Sequence, residues 1–187
     1  MWQRHAKFCP LCGGDLRARP IEGRPRLACT GCRFVLYENP APASATLVLD
    51  DDRVLLIRRD IEPYRGTWTL PAGYQEIDET PVETAERETR EETGLEVEAV
   101  GLFDLLTTTD DPRKPGILAV YVCRVVGGAL RAGADEADVR WFPLDALPDS
   151  IGFVNNRLML DRLVRERHTG GPRTIPVVRS APAPPDA

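Results

Sequence analysis

Four cysteines near the N-terminus constrain this chain more than any other feature. Cys9 and Cys12 form one CxxC pair, Cys29 and Cys32 form a second, and sixteen residues separate the two pairs. Glycine or proline lies beside each pair, so each pair fits a tight turn that presents two thiolates to one tetrahedral ion. A unit this small buries too little apolar surface to fold alone. The spacing therefore predicts a ribbon over residues 1–38 that is held by a structural Zn²⁺.

The remaining length and composition indicate a second, larger domain. The chain has 187 residues, of which 42% are hydrophobic, and its net charge of −5 argues against polyanion binding over the whole surface. No apolar run approaches the roughly 20 residues of a membrane helix, and the N-terminus lacks the apolar core of a signal peptide. We therefore expect a cytoplasmic protein that makes no contact with a membrane.

Proline and apolar patterning set the expected boundaries. The segment "ENPAPA" indicates a linker over 39–43, which places the main domain at 44–167 and leaves a disordered tail over 168–187. Apolar segments separated by turn residues predict strands in the main domain. These segments lie at 44–50, 53–59, 96–106 and 117–126, with a short one near "VRWFP". A final amphipathic helix is expected over about 153–167, with Phe153, Leu160, Leu163 and Val164 on its apolar face.

The segment "TPVETAERETREETG" carries the start and stop signals of one helix. Thr80 is a good N-cap, Pro81 suits the first helical position, and Glu83 completes a capping box. Gly94 supplies a C-terminal stop. These signals predict a helix over 81–93.

That helix concentrates carboxylates on one face. Glu88, Glu91 and Glu92 are three and four residues apart, so their side chains project toward one small volume, and Arg87 and Arg90 are positioned to hold them. Oxygen ligands at this density suit Mg²⁺ or Mn²⁺. The alternative is a charged face that meets only water, and the helix taken alone favours that alternative.

The surrounding residues favour metal binding over a face that meets only water. The segment "GYQEIDETPVETAERETREETGL" resembles the Nudix box along its whole length. The matching positions are Gly73, Glu79, Arg87, Glu88, Glu91, Glu92, Gly94 and Leu95. Thr89 departs from the pattern, since the family usually has an apolar residue there to pack the helix onto the sheet. The resemblance implies an α/β fold, a Nudix α/β/α sandwich preceded by the small zinc ribbon.

The resemblance also implies a role for each matching residue. Three glutamates and one backbone carbonyl would bind the divalent metal: Glu88, Glu91, Glu92 and Ala72. Four residues would support the loop and helix: Gly73, Glu79, Arg87 and Gly94. Either Glu91 or Glu88 would be the general base, and the choice stays open. Glu86 is outside the pattern and is expected to be solvated.

The family resemblance implies hydrolysis of a nucleoside diphosphate linked to another group. Residues 8–106 are similar to ribbon-bearing pyrophosphatases that act on ADP-ribose or FAD, through "RPRLACTGCRFVLYENP" and "VLLIRRDIEPYRGTWTLPAGYQEIDET". NADH pyrophosphatases share the ribbon and rank second, because their Ser-Gln-Pro-Trp motif is missing downstream of the box. A binding module with a nucleotide-sensing Nudix fold is a third interpretation.

The sequence says less about binding partners than about the metal sites. The ribbon is rich in arginine (Arg17, Arg19, Arg24, Arg26 and Arg33), which allows nucleic-acid binding but does not favour it over a structural role. Small zinc modules also serve assembly, so a homodimer is expected.

Three side chains are candidates for substrate contact. Trp68 could stack on a base or flavin, although core packing is the more common role at such a position. Arg113 and Lys114 lie in the polar segment 107–116, where they are available to phosphate, and an ordinary hairpin connection is the alternative.

Overall fold

The computed structural model describes residues 5–108 and 115–177, which form two compact units. The first unit ends at Pro40 and the second begins at Ala41. No helix in the described part of the chain is long and apolar enough to cross a membrane.

The first unit is a three-stranded antiparallel sheet with a small apolar core that includes Cys9 and Cys29. Its strands are β1 (Leu16–Ile21), β2 (Arg24–Cys29) and β3 (Val35–Leu36), in the order β1-β2-β3. Glu22 and Gly23 both have positive φ and join β1 to β2 in a two-residue turn. Leu16 and Cys29 are buried together at the centre of this unit.

The second unit is built on one mixed sheet. Its strands are β4 (Ala41–Asp50), β5 (Arg53–Arg59), β6 (Trp68–Thr69), β7 (Ala72–Tyr74), β8 (Leu95–Thr108), β9 (Gly116–Gly128), β10 (Glu136–Pro143) and β11 (Ile175–Pro176). Their order is β10-β5-β4-β9-β8-β11, with β6 paired to β5 and β7 paired to β4. Among the pairs in the described residues, β4 with β9 is parallel and the others are antiparallel.

Two helices cover the two faces of this sheet. Helix α1 (Pro81–Thr93) contributes Val82 and Ala85 to one apolar core, and helix α2 (Val154–Arg167) contributes Leu160 and Leu163 to the other. The sheet therefore lies between two separate hydrophobic layers, and the expected α/β/α sandwich is confirmed.

The ends of α1 follow the expected signals. The Thr80 side chain accepts a hydrogen bond from the Glu83 N–H, and the Glu83 side chain accepts one from the Thr80 N–H, so the capping box is complete. Gly94 adopts the left-handed conformation at φ 71°, where a Cβ would overlap the Ala129 carbonyl oxygen. The prediction of a helix over 81–93 is confirmed.

Two segments differ from the sequence-based boundaries. Strand β4 begins at Ala41, so part of the expected linker over 39–43 belongs to the sheet. Within the expected disordered tail, β11 pairs with β8 at Leu102 and Gly101. Thr174 packs so closely on Gly101 that a Cβ there would overlap its side chain. The edge of β8 would otherwise present unpaired backbone N–H and C=O groups, and the short strand β11 pairs with some of them.

Thr89, the departure from the family pattern, is fully buried and hydrogen-bonded. Its hydroxyl donates to the Ala85 carbonyl at 2.8 Å, and it lies 2.8 Å from the hydroxyl of Thr46 on β4. The Thr46 hydroxyl is therefore left to donate to Thr89. A buried polar contact between the helix and the sheet therefore stands where the family usually has apolar packing.

This contact predicts strong coupling between the two threonines. Thr89→Val should destabilise the protein by about 1 to 3 kcal/mol, because it leaves the buried Thr46 hydroxyl without an acceptor. Adding Thr46→Val should recover most of that loss, since both polar partners are then replaced by groups of similar volume. Urea unfolding of the two single variants and the double variant measures the coupling. Simple additivity of the two single changes would contradict the hydrogen-bond assignment.

Candidate active site

The acidic face of α1 is organised around Arg87. Its Nη1 donates to Glu88 at 2.8 Å and to Glu91 at 3.3 Å, and its Nη2 donates to the Tyr74 carbonyl at 3.1 Å. The Glu88 side chain is 16% exposed, whereas that of Glu91 is 55% exposed. One carboxylate is therefore fixed and enclosed, while its neighbour on the next turn faces solvent.

Strand β7 brings backbone groups against this face. The Ala72 N–H donates to the Glu92 carboxylate at 2.9 Å, which places the Ala72 backbone beside Glu92. A Cβ on Gly73 would overlap the Glu88 carboxylate. Because β7 pairs with β4, the sheet fixes the distance between these backbone groups and the helix. Glycine is required at position 73 for Glu88 to pack against the strand.

Glu79 and Arg87 join the segment before α1 to the helix itself. The Glu79 carboxylate accepts two hydrogen bonds from Arg87 and one from the Thr84 hydroxyl at 2.9 Å. It also accepts the Glu76 N–H at 3.2 Å. The hydrogen bonds from Arg87 hold the pKa of Glu79 at about 2. The loop and the helix therefore form one connected structure at neutral pH.

A fourth carboxylate, Glu136 at the start of β10, reaches the same region. The preceding segment caps the last turn of α1, since the Gly133 N–H donates to the Glu92 carbonyl at 2.9 Å. A Cβ on Gly133 would overlap the Glu136 carboxylate, so Glu136 folds back toward the end of the helix. Sequence reasoning missed this residue. Glu136 lies 44 positions beyond Glu92 with no fixed spacing to it, and the three acids of "ADEADVR" are the only local signal.

The electrostatics of these carboxylates fit a hard divalent cation. Burial raises the pKa of Glu88, Glu92 and Glu136, and the pKa of Glu92 is raised further by the negative charges of Glu136 and Glu88. Arg59 opposes this effect at both Glu92 and Glu136. Oxygen donors that repel one another in a partly dry site are the donor set that Mg²⁺ and Mn²⁺ prefer.

An open cleft of about 160 Å³ adjoins Ala72 and Gly73, the two backbone positions beside the carboxylates. Arg59, Phe153 and Asn155 are among its lining side chains. The cleft is therefore positioned to hold a ligand next to the acidic face. Sequence reasoning did not single out Arg59 or Asn155 as contacts, because neither belongs to a motif.

Phe153 occupies an unusual position in this cleft. It was expected on the apolar face of the last helix, but α2 begins at Val154 and Phe153 precedes it at φ 59° and ψ 130°. Its ring lies 4.5 Å from the Tyr64 ring and 5.3 Å from the Arg59 guanidinium. A non-glycine residue costs about 1 to 3 kcal/mol in such a conformation, and residues of this kind cluster at functional sites.

Several expected side chains lie elsewhere. Trp68 is buried against Phe142 in the core, with ring centroids 4.7 Å apart, and does not line the cleft. Core packing is therefore its observed role. Glu86 was expected to face water, but its carboxylate accepts the Ala99 N–H at 3.0 Å and so ties α1 to β8. Arg113 and Lys114 lie outside the described residues.

The four ribbon cysteines converge on one point. Their Sγ atoms all lie within 4.8 Å of one another, and Cys9 and Cys29 are buried. The Gly31 N–H donates to Cys29 Sγ at 3.3 Å and lowers the pKa of this thiol to about 7. Four sulfur donors at this separation match the tetrahedral site expected from the sequence.

Comparison with known families agrees with this geometry. The model of the NUDIX domain matches residues 39–163. The chain belongs to the Nudix family. A second family model, described as Nudix N-terminal, matches residues 7–38 and covers the ribbon. The expected combination of a Nudix domain with a four-cysteine zinc ribbon is confirmed.

The aligned length differs among the relatives of this Nudix protein. The ADP-ribose pyrophosphatase of Methanocaldococcus jannaschii is 35% identical over 130 residues, which is 69% of this chain and 76% of that protein. The NAD-capped RNA hydrolase NudC of Vibrio atlanticus is 28% identical over 156 residues, and the match spans 82% of this chain but 56% of NudC. Among solved structures, a NUDIX hydrolase from Nitrosomonas europaea superposes with a TM-score of 0.83 at 34% identity. That match covers 91% of this chain and 97% of the other.

The low pKa of Glu79 predicts a pH-dependent stability. At pH 7, Glu79→Gln should destabilise the protein by about 2 kcal/mol, because the charged carboxylate stabilises only the folded state. The contribution is present above the unfolded pKa near 4.5 and is lost as the pH falls toward 2. Urea unfolding between pH 7 and pH 3, followed by tryptophan fluorescence, measures the difference.

The matched control is Glu98→Gln, since Glu98 forms an exposed ion pair with Arg124. Its effect should stay under about 1 kcal/mol at every pH. A Glu79→Gln deficit that is the same at pH 7 and pH 3 would mean that Glu79 acts by packing rather than by charge.

Proposed function

We propose that this protein hydrolyses the pyrophosphate bond of a nucleoside diphosphate derivative, such as ADP-ribose or FAD, to give two monophosphates. The observation that carries the proposal is the meeting of Glu88, Glu92 and Glu136 beside a cleft that opens at Gly73. Anionic side chains next to an anion-binding cleft would repel the substrate without a cation between them. The likeness to an ADP-ribose pyrophosphatase supports the same substrate class.

The proposed metal ligands are Glu88, Glu91, Glu92 and the Ala72 carbonyl, with Glu136 as a further carboxylate near the ion. A bound Mg²⁺ or Mn²⁺ supplies neutralisation of phosphate oxygens and lowers the pKa of a coordinated water. The protein residues fix the geometry. Arg87 holds Glu88, and the Ala72 N–H orients Glu92. The pairing of Glu79 with Arg87 keeps the loop before α1 against the helix.

Proton removal from the attacking water is assigned to Glu91 or Glu88. Glu91 has the more exposed carboxylate, so a water reaches it from solvent. Glu88 is closer to the cleft because it packs against Gly73. Both assignments require that the general base lie within hydrogen-bond distance of the water in the substrate complex.

The cleft would hold the nucleotide on the other side of Gly73. The Phe153 ring offers an aromatic face for a base, and the Arg59 guanidinium offers a positive charge near the phosphates. Thr69 also lines the cleft, and its hydroxyl is buried without a hydrogen-bond partner among the described residues.

Two other interpretations receive less support. An NADH pyrophosphatase-like activity fits the ribbon and the carboxylates, and NudC relatives match much of the chain, but the Ser-Gln-Pro-Trp motif is missing. A nucleotide-sensing fold without catalysis would not need three box glutamates together with Glu136. The homodimer and the cytoplasmic location stay predictions, and size-exclusion chromatography tests the first.

The substrate class is tested with a panel of ADP-ribose, FAD, NADH, diadenosine polyphosphates, nucleoside triphosphates and nucleotide sugars, each with Mg²⁺ or Mn²⁺. We expect ADP-ribose to yield AMP and ribose 5-phosphate, identified by chromatography. On the best substrate, Glu91→Gln or Glu88→Gln should lower kcat by about 100-fold or more for whichever residue is the base. Glu136→Gln should lower kcat by about tenfold or more through loss of a nearby charge.

The matched control is Glu96→Gln, because Glu96 is an exposed carboxylate just beyond the same helix. It should leave kcat and KM unchanged. If neither Glu88→Gln nor Glu91→Gln reduced turnover below the Glu96→Gln level, the assigned site would be wrong.

A structural Zn²⁺ is proposed for the ribbon, supported by the four convergent thiols. We expect one zinc per chain by metal analysis, and Cys29→Ser should remove it, because a buried ligand is lost. Cys123→Ser is the matched control, since this buried cysteine lies on β9 outside the cluster. Full zinc content in the Cys29→Ser protein would contradict the proposed site.

A further inference from the structure

The hairpin of the ribbon places four of its arginines on one face. The register pairs Arg19 with Arg26, Arg17 with Ala28, and Ile21 with Arg24. Side chains directly opposite each other, or two positions apart on one strand, share a face. Arg17, Arg19, Arg24 and Arg26 therefore all lie on one face, which we call the arginine face. The cysteine-bearing core lies on the other face, where Leu16 is paired with Cys29.

This arrangement is costly for a purely structural hairpin. Two arginines directly opposite each other repel, and a stabilising pair at that position would combine opposite charges or apolar side chains. The acidic neighbours compensate only weakly. Asp15 pairs with Arg17 at 2.7 Å, and Glu22 lies 4.0 Å from Arg26, but both acids are exposed. Arg19 and Arg24 are exposed as well. The side chains of Arg17, Arg19 and Arg24 therefore remain accessible to an outside anion, whereas that of Arg26 is 20% exposed.

An aromatic ring completes the face. Tyr37 follows β3, and the Leu27 to Leu36 register places it opposite Arg26. The Arg26 guanidinium stacks over the Tyr37 ring at 4.4 Å, and Tyr37 is 45% exposed. A stacked arginine and tyrosine present a flat surface of the kind on which nucleic-acid bases stack.

The charges of the chain are divided in the same way. Residues 1–40 contain seven basic and three acidic residues, whereas residues 41–187 contain 17 basic and 26 acidic residues. The formal charges are therefore +4 and −9, which together give the −5 of the whole chain. The net charge of the whole chain is negative, although residues 1–40 taken alone have a net positive charge.

We infer that the arginine face, together with Tyr37, binds single-stranded nucleic acid. Alternate residues of an extended strand are about 6 to 7 Å apart. That spacing is comparable to the separation of successive phosphates on an extended nucleic-acid strand, so neighbouring arginines meet neighbouring phosphates. Guanidinium groups also match phosphate oxygens with paired donors. Tyr37 adds sequence-tolerant stacking on a base.

An acidic protein surface is the competing partner, and the face fits it less well. Protein interfaces depend on a desolvated apolar centre, whereas this face carries four charged side chains around the partly buried Ile21. The inference concerns a binding surface and does not depend on the proposed hydrolysis, because none of its residues belongs to the carboxylate site.

The test is fluorescence anisotropy of a labelled 12-nucleotide RNA with the full, zinc-loaded chain. Buffers free of magnesium and of chelators, at 25 to 200 mM KCl, avoid turnover and keep the ribbon intact. Four phosphate contacts predict that log K falls with log salt at a slope of about −3. Single-stranded DNA of the same sequence should bind within a few fold, because the arginines contact phosphates.

Arg19→Gln combined with Arg24→Gln should halve this slope and weaken binding about tenfold at 50 mM salt. Arg124→Gln combined with Arg140→Gln removes the same charge from exposed arginines of the second unit and should leave both quantities unchanged. Tyr37→Leu should weaken binding about fivefold or more without changing the slope, since stacking releases no counterions. Zinc content, measured on every variant, identifies any loss of the ribbon fold.

Three results would overturn the inference. The first is no binding of RNA at 25 mM salt. The second is equal weakening by the two double variants when both retain zinc. The third is displacement of the RNA by polyglutamate at equal charge concentration, which would identify the face as a site for acidic proteins.

Discussion

The hydrogen bonds of Arg87 hold the acidic site of this protein together. One guanidinium contacts Glu79 in the preceding loop, Glu88 and Glu91 on its own helix, and the Tyr74 carbonyl at the end of β7. Carboxylates at this density repel one another, and Arg87 is the positive charge that lies among them. The loop, helix and strand keep their relative positions because they share this one partner. Replacing it with lysine would keep a charge but lose the planar set of donors.

The sheet supplies the second constraint. Strand β7 is short, but its pairing with β4 fixes the Ala72 and Gly73 backbone against α1. The buried Thr46 and Thr89 hydroxyls also join helix α1 to strand β4 of the sheet. The site is therefore held by hydrogen bonds to rigid elements of the sheet and the helix, which is the arrangement that precise placement of ligands requires. The cleft adjoins this region at Ala72 and Gly73.

Local signals in the sequence were enough to predict the helix, its ends and the ribbon, whereas the sandwich was implied by the resemblance to the Nudix family. Thr80, Glu83 and Gly94 act within one turn of their own positions, so their effects are visible without tertiary structure. Glu136 and Phe153 were missed as site residues for the opposite reason. Each reaches the site only because a distant segment folds back, and no fixed spacing links it to the box. Trp68 was left between ligand stacking and core packing, and its contact with Phe142 shows core packing. Glu86 was expected to be solvated because it is outside the box pattern, and its hydrogen bond from the Ala99 N–H shows a contact that the pattern does not contain.

We propose that the carboxylates beside Gly73 bind a divalent cation at the edge of the cleft. The most direct measurement is anomalous diffraction from crystals of the protein soaked in Mn²⁺. We expect an anomalous peak bounded by Glu88, Glu92 and the Ala72 carbonyl, with Glu136 facing it, and no such peak in a Glu92→Gln crystal. A well-ordered site without a peak, or a peak unchanged in Glu92→Gln, would contradict it.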